Sequence, residues 1–396
     1  MKTRSVAILV VAAVAVSILS TYLIVSAIYT NQQRMPKMES LLEKETEPSP
    51  AATPVVSQSA ADKGEILALL DARTEEQRKN TITAFKKVMR DVPPYVGIVT
   101  KGYPFAQDGQ YEKAVQLTQE EINEHPDDVG PRYTLAWINA RVGNYDKAIT
   151  ICDDALQLGA SYNNMRYIMG WVYAKQGKYE DALKTCDDAL RIDPYSATLF
   201  YAKGRILDLF GRNDEAIESY LKAVNLKNDF FEAYVCMGLL YTELGRYDDA
   251  IKAQKQAVSL NRYGPGGYLG LGLVYDEKGN YQAALAQLQK AITLGSLGAD
   301  ADSPKQPLTS SIGIDDAVIY NRIGILNIRL GSYQDAIIAF NNAIAARQDF
   351  ADAYRGLVLA DLLLNNKEAA RKDYDKLRNL DTDLAKSVAT FIEQDK

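Results

Sequence analysis

The sequence predicts an all-α protein: a solenoid of stacked helical hairpins behind an apolar N-terminal span and a polar tether. Three observations predict it. A six-residue pattern, Gly143-Asn144-Tyr145-Asp146-Lys147-Ala148, returns from Gly177, Gly211, Gly245 and Gly279, each 34 residues after the last. Small residues recur at fixed offsets from that glycine: Gly102, Ala136, Gly170, Gly204, Gly238, Gly272 and Gly324 before it, Ala155, Ala189, Ala223, Ala257, Ala291 and Ala343 after it. Large side chains interdigitate between them, with Tyr173, Tyr241 and Tyr275 just before the turn and Phe200, Tyr234, Tyr268, Tyr320 and Tyr354 further upstream.

Each recurring type has a mechanical reason. The glycine closes a first helix in a left-handed conformation that only glycine adopts cheaply. The alanine five residues later lets the second helix approach its neighbours closely. Pro126 and Pro194 end second helices because proline has no N–H to donate. The pattern extends upstream to Gly109 and, after an insertion, downstream to Gly331 and a weakened Asn365-Asn366-Lys367-Glu368-Ala369-Ala370. A degraded last unit suits a terminal cap.

On this order of glycine, tyrosine and alanine the chain resembles the tetratricopeptide repeat (TPR) family from about Tyr95 to the C-terminus. The resemblance implies a right-handed α-solenoid over 95–396, with about seven to eight helix-turn-helix repeats and an insertion loop at 295–315. It also implies a protein-binding role.

The remaining segments precede the array. After a short flank, 1–4, the stretch 5–29 is uncharged from Ser5 to Tyr29. As a helix it is long enough to cross a hydrocarbon core of about 30 Å, so it reads as a transmembrane signal anchor. A cleaved signal peptide is the rival, with Val25-Ser26-Ala27 as an acceptable cleavage tripeptide. Lys2 and Arg4 against the acid-diluted Arg34, Lys37 and Lys44 give a slight preference for N-inside, C-outside. A single-pass membrane protein with extracytoplasmic repeats follows. Residues 30–63, with Glu47-Pro48-Ser49-Pro50-Ala51-Ala52-Thr53-Pro54, read as a flexible linker. Residues 64–92 read as a helical cap on the array, with Thr74-Glu75-Glu76-Gln77 as a capping box and Ala84, Phe85, Val88 and Met89 as one face. Pairing of that helix between two chains is the alternative. Pro104 predicts a bent or shortened first helix in the first unit, and there Glu121 replaces the small alanine of the second helix.

Composition narrows the function. The net charge is −6 with no basic cluster, which argues against nucleic-acid binding. Three cysteines make no disulfide framework; Cys152, Cys186 and Cys236 read as small core residues. The one histidine, His125, sits beside Pro126 at a turn with no catalytic companion. Asp300 and Asp302 in the insertion lack the ligand spacing of a calcium loop. The expectation is a protein without enzymatic activity, cofactor or metal.

In the TPR family the first helices line a concave groove. The places facing it here, ten and six residues before each turn, hold Tyr133 with Trp137, Tyr167 with Trp171, and Tyr201 with Arg205. Further on, the same places bring Leu239 and Leu273. Aromatic and arginine side chains are the usual anchors of interfaces. These eight residues are therefore the candidate protein-binding groove of a membrane-anchored scaffold for a partner peptide or segment. The alternatives are a self-associating structural protein that forms homo-oligomers, and a secreted repeat module. Some family members grip a C-terminal carboxylate from adjacent first helices; of the corresponding places only Asn164 carries a suitable side chain, so that mode is not expected.

Overall fold

The computed structural model describes residues 60–91, 100–107, 109–159, 162–297 and 315–393, all within one compact unit, Ser57–Lys396. The anchor expected over 5–29, most of the linker 30–63, Pro93, Pro94 and most of the loop 295–315 lie outside the described residues. No helix among the described residues is long and apolar enough to cross a membrane.

Those residues form eighteen helices and no strand. A long helix, α1 (Ala60–Asp91), comes first. Eight hairpins follow. They are α2 (Tyr103–Gln107) with α3 (Tyr111–Glu124), α4 (Gly130–Arg141) with α5 (Tyr145–Gln157), α6 (Tyr162–Lys175) with α7 (Tyr179–Ile192), and α8 (Ala197–Leu209) with α9 (Asn213–Leu226). The second four are α10 (Phe231–Glu243) with α11 (Tyr247–Leu260), α12 (Pro265–Glu277) with α13 (Tyr281–Leu297), α14 (Asp316–Arg329) with α15 (Tyr333–Ala346), and α16 (Ala351–Leu363) with α17 (Lys367–Leu380). A last helix, α18 (Thr382–Glu393), packs on both α16 and α17.

The turns behave as the sequence demands. Gly109, Gly143, Gly177, Gly211, Gly245, Gly279 and Gly331 all have φ between 69° and 89°, and Asn365 takes the same region at 59°. The next N–H reaches back five residues, as in Lys178 N to Tyr173 O at 2.9 Å and Arg212 N to Leu207 O at 2.8 Å. These bonds satisfy carbonyls that a helix end would otherwise orphan. The eight alanines from Ala114 to Ala370 are completely buried, so each second helix presses a small side chain onto its partner. Second helices are amphipathic and face water on one side. First helices such as α12 are buried almost all round, which marks them as the inner layer.

A further seam element is the residue nine after each turn, which the sequence reading did not single out. It fills the space left by the small residue of its own first helix. An added Cβ at Gly204 would meet Tyr220 at 2.7 Å, at Gly238 Gln254 at 2.6 Å, at Gly272 Leu288 at 2.6 Å, and at Gly324 Phe340 at 2.5 Å. Gly102 meets Thr118 in the same way, just before a first helix cut to five residues with Pro104 in its first turn. Glu121 turns outward enough to accept a bond from Lys101 N at 3.0 Å.

The segment expected to cap the array is placed differently. α1 starts at Ala60 and runs unbroken through Thr74, so the expected capping box does not start a helix. Thr74 is instead buried, and its hydroxyl donates to Leu70 O at 2.6 Å. α1 packs against α10, α12, α14 and α16, four consecutive first helices, rather than on the array's end. It runs against the order of the repeats, from Ile66 and Leu70 in the C-terminal core to Lys86 beside α8 and α10. Phe85 and Met89 face inward as expected; Ala84 is exposed. The C-terminal end is closed by α18 through Leu384, Ala385 and Val388.

Candidate functional site

The eight candidate groove residues sit on the first helices α4, α6, α8, α10 and α12, at the places the repeat spacing dictates. None is a free surface. Tyr133, Trp137, Tyr167, Trp171, Tyr201, Arg205, Leu239 and Leu273 are all 0–6% exposed. The covering comes from neighbouring units and from the second helix of the same hairpin. The Tyr103 ring lies 5.5 Å from Trp137, and the Tyr201 ring lies 4.9 Å from Phe230 and 6.0 Å from Tyr220. Leu239 and Leu273 lie on α10 and α12, which α1 overlays.

The structure thus divides the inner layer in two. The N-terminal part is an aromatic cluster around Arg205. Its guanidinium stands 5.6 Å from the Tyr167 ring and 5.3 Å from the Tyr201 ring, and it donates to the Tyr167 hydroxyl. The Tyr201 hydroxyl contacts Cys236 Sγ at 3.6 Å. Burial pushes the Tyr167 phenol up to about 12 and holds those of Tyr133 and Tyr201 well above the usual phenol range, so all three stay neutral. Four polar positions here have no acceptor or donor to meet: Tyr133 Oη, Trp171 Nε1, and Arg205 Nε and Nη2. A narrow cleft lined by Tyr167, Trp171, Ala202, Arg205, Ile206 and Leu209 opens beside them.

The C-terminal part is occupied by α1, through groups that residue spacing did not reveal. Lys86 is buried between Asp208 on α8, at 2.7 Å, and Glu243 on α10. Arg78 pairs with Glu277 on α12 at 3.4 Å, and Arg73 with Asp352 on α16 at 2.8 Å. Two inner-layer arginines hold α1 by its backbone: Arg355 donates to Leu69 O at 2.6 Å, and Arg322 to Thr74 O at 3.5 Å. Arg322 also pairs with Asp276 at 2.6 Å, both fully buried. Such buried pairs contribute little net stability but strongly penalise removal of one partner.

The cysteines are packed, as read from sequence. Cys152, Cys186 and Cys236 are free and buried, and burial pushes the first two thiols up to about 12. His125 is exposed at its turn. No cluster of metal-binding side chains occurs among the described residues.

Comparison with known proteins agrees with this architecture. Tetratricopeptide-repeat models match residues 133–197, 229–295 and 321–383, and a TPR model matches 210–245. The array is a tetratricopeptide repeat solenoid, a class that generally serves protein–protein interaction. Among solved structures, the APC/C hetero-tetramer Cut9–Hcn1 is similar over 72% of this chain at 17% identity, with a TM-score of 0.50. This chain covers 52% of that one, about half its length, and the likeness is one of fold. Yeast Tom70 (16% identity, 92% of this chain and 72% of that chain, TM-score 0.46) and MamA (25%, 48% and 94%, 0.40) are also similar. No curated protein matches the sequence.

Proposed function

We propose that this chain is a scaffold, held to a membrane by residues 5–29, whose N-terminal units bind a segment of a partner protein around Arg205. One observation carries the reading: four buried polar positions on α4, α6 and α8 lack hydrogen-bond partners. A buried donor left unmade costs about 1–3 kcal/mol, and a buried guanidinium without a counter-charge costs more. A segment bringing carbonyl or carboxylate oxygens to the cleft relieves that cost, while Tyr167 and Trp171 supply apolar contact. The membrane placement, with repeats outside the cytoplasm, rests on the uncharged span and its flanking charges.

The test is the Arg205→Met chain. If Arg205 is kept for a ligand, the variant loses the partner and its free form becomes more stable than wild type. Trp137 and Trp171 are the chain's only tryptophans, so engagement of wild type alters their emission. A variant that is less stable and captures the same partners marks Arg205 as structural and ends this reading. Self-association is the second reading; a monomer by light scattering across a concentration series removes it.

A further inference from the structure

The four C-terminal first helices hold α1 through ion pairs and through its backbone carbonyls, as well as by apolar contact. The carboxylates of Asp208, Glu243, Asp276 and Glu277 stand at the C-terminal ends of α8, α10 and α12. Negative charge there opposes the helix macrodipole, so the array alone is weakened at this face. Cations relieve it: Lys86 and Arg78 from α1, and Arg322 from within the array. Arg355 and Arg322 meanwhile grip the carbonyls of Leu69 and Thr74, atoms that any helix in this register presents. Apolar contact accompanies these polar ones: Ile66, Leu70, Ile82, Phe85 and Met89 are buried along one side of α1.

We propose that this acidic inner face is a receptor for a basic amphipathic helix of a partner protein, and that α1 is the resident occupant such a helix displaces. The fitting helix carries lysine or arginine eight residues apart, as at Arg78 and Lys86, about 12 Å along its axis. Eight residues, 92–99, separate α1 from Thr100 in the chain. Because α1 and the array belong to one chain, α1 docks intramolecularly and a free helix must compete with it. The partner's apparent affinity is therefore lowered by the fraction of chains in which α1 is undocked. The inference rests on the inner layer being a protein-binding surface, but on its other half from the Arg205 cluster.

The probe is a fluorescein-labelled peptide copying residues 60–91, read by anisotropy against the full chain. Wild type binds it weakly, because α1 is in place. Lys86→Glu sets a carboxylate beside Asp208 and Glu243, frees α1, and raises peptide affinity at least tenfold. The same peptide carrying Lys86→Glu loses its binding. Should the variant chain misfold, a protease site between α1 and α2 of the wild-type chain serves instead: after cleavage the labelled peptide exchanges in. The proposal is overturned if the cleaved chain never exchanges while its repeats stay folded. It is also overturned if exchange yields dimers, since the occupant is then a second copy. Tryptophan emission stays constant throughout, so the Arg205 reading stands or falls separately.

Discussion

At the scale of single residues, the turns are where identity matters most. An added Cβ at Gly211 meets nothing within 4 Å, yet its φ is 75°. Gly211→Ala is therefore a purely conformational change, expected to cost about 1–2 kcal/mol. Asn365→Gly runs the other way, easing the one non-glycine residue at positive φ among the described residues. Denaturant midpoints moving in opposite directions for the two variants check this. Asp361 supplies a pH dependence. Burial first, and then the neighbouring Asp373 carboxylate, push it up to about 6, against the bond from Asn366 at 3.2 Å. Its folded-state pKa lies above the unfolded value of about 3.9. Its favourable contribution is thus full below about pH 4 and lost as pH rises through about 6. Asp361→Asn should flatten the thermal midpoint across that window and raise it near neutrality, as calorimetry at several pH values would show.

At the scale of elements, the hairpins were legible and the docking of α1 was not. Turn glycines, paired alanines and proline stops are local signals repeated many times, so each confirms the others. The contacts of α1 join residues far apart in sequence, as Arg73 with Asp352 or Lys86 with Asp208, and carry no period. Thr74 followed by two glutamates looks like a helix start, but the apolar stripe already runs from Ile66, and packing overrides the local cap. The eight candidate positions were found by spacing, yet spacing says nothing of what covers them. α18 carries no signal of the period, because a capping helix abandons the repeat. α1's separateness is testable: Phe85→Ala removes a fully buried ring, a loss of about 3–5 kcal/mol in a packed core. That loss should fall on α1's docking alone. Amide exchange should then quicken in α1 and stay slow in α4–α7, a local opening rather than a global one.

At the scale of the whole array, stability is a sum over neighbours. Each hairpin packs mainly on its neighbours, so the α4–α7 end and the α16–α18 end are expected to melt as separate cooperative stretches. The tryptophans report only the first of these. Their emission and the far-ultraviolet signal should therefore give different midpoints in denaturant; coincident curves would mean a single cooperative block.

The residue nine after each turn sets how freely the hairpins could be rearranged. Its size changes from unit to unit: thiol at Cys152 and Cys186, phenol at Tyr220, amide at Gln254, ring at Phe340. Gln254 lies between Gly238 of its own hairpin and Gly270 of the next, and Phe340 between Gly324 and Gly356. Each seam is thereby cut to one neighbour, like teeth on a key. Two hairpins that share every signature residue are not interchangeable bricks. A chain with its α8–α9 and α14–α15 modules transposed would keep its period and lose its fit, and evolution by duplicating a unit must have been followed by recutting both of its faces.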